Sequence, residues 1–101
     1  MNFMQSFSIK LRDGFRADTV TITANGAEIY HKADVNTDLT ISYADGVEMP
    51  VTDAVVQLAV AVEGGQTETK EIRVQETPFV EVWVTDGKLE LRTSKEEVPM
   101  L

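Results

Sequence analysis

Cysteine is absent from this sequence, and histidine occurs once, at His31. The first absence excludes a disulfide framework, a thiolate metal site and a cysteine nucleophile. The second leaves nucleophilic catalysis with a single imidazole base. Basic residues are also few, nine against 17 acids in 101 residues, for a net charge of −8. Phosphate binding needs clustered Lys and Arg, so no nucleic-acid partner is expected. Long apolar runs are missing too. The longest, Leu58-Ala59-Val60-Ala61-Val62, falls far short of the roughly 20 residues a membrane span requires. The opening residues lack the basic and apolar regions of a signal peptide, so a cytoplasmic location is expected.

What is present points to strands. Val, Ile and Thr supply 29 residues, and β-branched side chains fit a pleated surface better than a helix. The dipeptides Asp13-Gly14, Asn25-Gly26, Asp45-Gly46, Gly64-Gly65 and Asp86-Gly87 punctuate the chain as turn signals. Between them apolar residues alternate with period two, the mark of a half-buried strand. The alternating sets are Phe7/Ile9/Leu11, Val20/Ile22, Ala27/Ile29, Leu39/Ile41/Tyr43, Val47/Met49/Val51, Val56/Leu58/Val60/Val62, Ile72/Val74, Val80/Val82/Val84 and Leu89/Leu91. Nine candidate strands and no helix follow. Pro50 marks the fifth as an edge or broken strand, since proline has no N–H to give a ladder.

Hairpins with one apolar face and no helix to cover them must bury that face against a second sheet. The expected architecture is a single-domain antiparallel β-sandwich of about seven to nine short strands over residues 1–94, with a C-terminal tail over 95–101. A small barrel is the alternative. In strand number and spacing the pattern resembles immunoglobulin-like and prealbumin-like sandwiches, which implies a fold and no function.

Charge is unevenly spread. Residues 17–69 hold nine acids and one base, Lys32, and so carry the whole net charge, while the remainder balances. Two stretches point to binding. In Asp34-Val35-Asn36-Thr37-Asp38, oxygen ligands at alternate positions open the way a Ca²⁺ loop does, with Thr40, Ser42 and Asp45 at the seventh, ninth and twelfth places. Leu39 stands where an EF-hand needs glycine, so the candidate metal ligands Asp34, Asn36 and Asp38 imply a looser β-loop Ca²⁺ site or an Asx-rich turn.

In the second stretch, Phe79-Val80-Glu81-Val82-Trp83-Val84-Thr85, the valines make one face. Phe79 and Trp83 then lie about 13 Å apart on the other, with Glu81 between them. Flat rings give large contact area at low entropic cost, which suits protein or sugar partners. Val55, Ala59 and Ala61 give the sixth strand a second apolar face, which suggests close packing by a loop or a second copy. The expected function is a non-catalytic binding or protein-interaction module, with a protein partner or a second copy of itself as its ligand; the alternative is a Ca²⁺-dependent module for a ligand such as a carbohydrate.

Overall fold

The computed structural model describes residues 5–96, and among these there is no helix. Eight strands form: β1 (Gln5–Leu11), β2 (Asp18–Ala24), β3 (Ala27–Val35), β4 (Asp45–Val51), β5 (Val55–Val62), β6 (Thr67–Arg73), β7 (Phe79–Thr85) and β8 (Lys88–Ser94). They build two four-stranded sheets, the first in order β4-β1-β7-β8 and the second in order β3-β2-β5-β6. The fold is therefore a two-sheet sandwich and not a closed barrel. Residues 97–101, most of the expected C-terminal tail, lie outside the described residues.

Three hairpins follow the turn signals. At Asn25-Gly26 and Asp86-Gly87 both residues have positive φ (51° and 84°, 51° and 76°). That is the turn whose twist matches the strands it joins. Every other connection crosses between sheets. β1 and β7 consequently lie side by side in parallel, with Ile9 opposite Val80 and Leu11 opposite Val82. This departs from the expected all-antiparallel pairing, because β7 enters the first sheet by crossover from β6 and not by a hairpin from β1.

The alternating apolar residues meet between the sheets. Phe7, Ile9, Leu11, Val80 and Val82 from the first sheet face Val20, Ile22, Val56, Leu58, Val60 and Ile72 from the second, all buried. Phe15 joins them from the β1–β2 loop. Thr37 fixes that loop: its Oγ1 accepts from the Phe15 N–H at 3.0 Å and donates to the Arg12 carbonyl at 2.6 Å.

Two expectations fail around residue 40. Leu39 to Tyr43 forms a turn and not a strand, tied by a single bridge between Asp38 and Tyr43. Asp45-Gly46 is not a turn but the start of β4, opposite Leu11 and Lys10. The reversal happens earlier, where Ser42 takes φ +52°. Pro50 does lie in an edge strand, β4, facing Ser6.

All four sheet edges carry devices against further strand addition. β4 has Pro50, and β3 is irregular in its pairing with β2. β8 presents Lys88, Glu90 and Arg92. On β6, Glu68 and Lys70 share the parity of the buried Ile72 yet stay exposed.

Candidate functional site

The outer face of the first sheet holds the aromatic strand. Arg12 comes from the end of β1, and Arg92 from β8, on the two flanks of β7. Their guanidinium carbons lie 5.0 and 4.7 Å from the centroid of the Trp83 ring. Each such contact contributes about 0.5–2 kcal/mol, more as it is desolvated. Arg12 also pairs through Nη1 with Glu81, and its Nε donates to the Ser42 carbonyl at 2.6 Å. Both members of this ion pair are buried, at 7% and 9% exposure.

Arg92 grips Glu90 with two hydrogen bonds, 3.0 and 3.1 Å, which hold the Glu90 carboxyl below its ordinary range. Phe79 is half-buried farther along β7, opposite Ser8 and Ser94. The structure thus keeps Phe79, Glu81 and Trp83 on one face but does not leave them an open platform. Glu81 is buried in an ion pair, and arginines from both flanking strands meet Trp83. The Trp83 Nε1 atom is buried without a hydrogen-bond partner among the described residues.

Beside Arg12 stands the β3–β4 loop. Asp38 closes its turn: the Asp38 N–H donates to the Tyr43 carbonyl at 2.8 Å, and Oδ1 accepts from the Thr40 hydroxyl at 2.6 Å and the Thr40 N–H at 3.0 Å. The hydroxyl foremost holds the Asp38 carboxyl below its usual range. Two large apolar side chains point outward from this pinned turn, Leu39 at 76% exposure and Ile41 at 42%. Period-two alternation places both in a strand and carries no sign of this exposure.

Two of the three candidate metal ligands, Asn36 and Asp38, use their side chains in local structural hydrogen bonds. Asn36 Oδ1 accepts from the Ala17 N–H at 2.8 Å, bracing Ala17 at φ +48°, and Asn36 Nδ2 donates to the Asp34 carbonyl at 3.1 Å. Asp38 is committed to Thr40, and Asp34 is exposed. Among the described residues no group of three His, Asp or Glu side chains is arranged to hold a metal ion.

Asp45 joins the sheets across their β3/β4 side. Its Oδ2 accepts from the Tyr30 hydroxyl at 2.9 Å and from Lys32 Nζ at 3.2 Å, and its Oδ1 from the Gly46 N–H at 2.9 Å. Burial pushes the Asp45 carboxyl upward, but these donors outweigh it and leave it below its ordinary 3.8. Burial and the same carboxylate raise Tyr30 far above the usual phenol range. A carboxyl depressed in the folded state stabilises at pH above its unfolded value, and the gain disappears as pH falls through the folded value. Below about pH 4, wild type is therefore expected to lose stability faster than Asp45→Asn. Urea unfolding of both proteins between pH 2 and 7 checks this; parallel curves would mean that Asp45 contributes nothing.

His31 is exposed on β3, with Nδ1 2.8 Å from Thr21 Oγ1. A cleft of about 340 Å³ opens at one end of the sandwich. Its walls include Arg16, Asp18, Glu63 and Gln66 beside four glycines, with no histidine, serine or threonine. Among the described residues no helix is long and apolar enough to cross a membrane. No known protein family, curated protein or solved structure matches the chain.

Proposed function

We propose that the chain is a non-catalytic protein-interaction module of the cytoplasm. Its contact surface is the β3–β4 loop together with the adjoining Trp83 face. The observation that carries this reading is the exposure of Leu39 and Ile41 on a turn held by its own hydrogen bonds. Burying a large aliphatic side chain is worth about 1.5–3 kcal/mol. This loop forgoes that gain in the free protein, and a partner with an apolar pocket would recover it. Asp38 stands at the foot of the tip, so a basic group on the rim of that pocket fits best. Edge-strand addition is disfavoured, because all four edges are guarded.

The test compares wild type with a Leu39→Ser/Ile41→Ser double variant as baits in the cells that express the chain. The double variant should lose at least one stoichiometric partner while its melting temperature stays near that of wild type, since neither side chain belongs to the core. Identical partner sets would overturn the reading. Millimolar Ca²⁺ is expected to leave the melting temperature where EDTA leaves it. A rise would mean that metal binds the native state and would restore Asp34, Asn36 and Asp38 as a Ca²⁺ site.

A further inference from the structure

The outer face of the second sheet is chemically unlike the rest of the molecule. Charged residues make up 26% of the chain, yet the outward residues of its two central strands, from Thr19 to Thr23 on β2 and from Val55 to Ala61 on β5, include none. Val55 is 39% exposed there, one of three exposed large hydrophobics among the described residues. Charge is confined to the rim, with Glu28 on β3 and Glu71 and Arg73 on β6. The Thr21 hydroxyl already has the His31 ring as its partner, and Gln57 Nε2 donates to Glu71 Oε1 at 3.1 Å.

Register supplies the second observation. Across β2 and β5, Thr21 lies opposite Ala61 and Thr23 opposite Ala59. Larger side chains thus stand on one strand and smaller ones at the same heights on its neighbour. A two-fold axis running along the strands, above the β2/β5 seam, exchanges the two columns. Thr21 then comes over the second copy's Ala61, and Thr23 over its Ala59. Each threonine meets the hollow above an alanine, and each contact is made twice, as an isologous interface requires. The roughly 30° turn between stacked sheets leaves these four central positions nearest the axis.

We infer that this face binds a second copy of the chain, giving a two-fold dimer stacked through β2 and β5. The uncharged centre matters because two copies each carrying −8 repel over most of their surface. Four strands of seven residues cover about 19 by 23 Å. That is about half the accessible area, near 800 Å² per partner, of a standard stable interface. The dimer is consequently a weak one, below the size of a standard stable interface.

Sedimentation equilibrium from low micromolar to about 1 mM tests it. The apparent mass of wild type should rise from 11.2 kDa toward twice that value. Ala59→Arg, which places a charge at the centre, should weaken association at least tenfold, and Leu39→Ser/Ile41→Ser should leave it unchanged. Should Ala59→Arg fail to fold, Thr69→Arg on the exposed edge strand β6 takes its place. A wild type monomeric throughout overturns the inference. So does a dimer that survives the arginine variants, or one that dissolves when Leu39 and Ile41 are replaced, which would assign self-association to the loop.

Discussion

Gly14→Ala is expected to lower stability by about 3 kcal/mol or more, roughly 15 °C or more in melting temperature for a domain of this size. The reason lies in two demands made at one residue. Gly14 has φ +99°, a conformation that an L side chain adopts only under strain. A Cβ built there would also stand 2.1 Å from the Val84 carbonyl oxygen and 2.7 Å from the Val84 Cβ. Val84 cannot retreat easily, because its N–H is bonded to the Asp13 carbonyl at 2.8 Å. The β1–β2 loop must move instead, and the buried Phe15 moves with it. Removing a core phenylalanine costs about 3–5 kcal/mol, so even partial displacement is expensive. Gly26→Ala is the control: its φ is +84°, but nothing lies within 4 Å of the added atom. It should cost only the left-handed strain, about 1–2 kcal/mol. Urea unfolding of the two variants side by side decides the matter. Equal losses would show that the loop yields without disturbing the core.

The second large effect concerns the ion pair beneath Trp83. Arg12→Ala should cost about 3–5 kcal/mol, because it leaves the Glu81 carboxylate buried without its partner. It also removes one of the two guanidinium groups beside the indole and the hydrogen bond that fastens the β3–β4 loop at Ser42. The double variant Arg12→Met/Glu81→Leu should recover most of the loss. Two charges taken from water are then replaced by apolar groups of similar volume, an exchange that is often neutral or stabilising. Trp83 is the chain's only tryptophan, so its emission reports the local environment during the same unfolding experiment. A double variant as unstable as Arg12→Ala would mean that the pair matters for loop attachment and not for charge compensation.

These residues also show how far the sequence could be read. Val80 and Val82 alternate with Phe79, Glu81 and Trp83 and are buried as the period-two rule requires. The same rule misassigned Leu39, Ile41 and Tyr43, which alternate equally well. A strand also needs a neighbour to pair with, and the Asp38 side chain captures Thr40 before any pairing can extend. Phe15 had no periodic company and gave no signal of its burial. Glu81 read as the polar middle of an open platform. Its burial depends on Arg12, which is 69 residues away in the chain.

By itself the sequence determined that the fold is all-β, most of the residues that line the core, where three hairpins turn, and that Pro50 marks an edge. These follow from local propensities and from alternation, which act over a few residues. The tertiary structure alone decided that β1 runs parallel to β7, that Trp83 is clasped by Arg12 and Arg92, that Leu39 and Ile41 face outward, and that β2 and β5 set threonines beside alanines. Each of those depends on which distant strands become neighbours and in what register. Many burial-equivalent pairings share one hydrophobic pattern, so that choice is settled by crossover connections and side-chain packing.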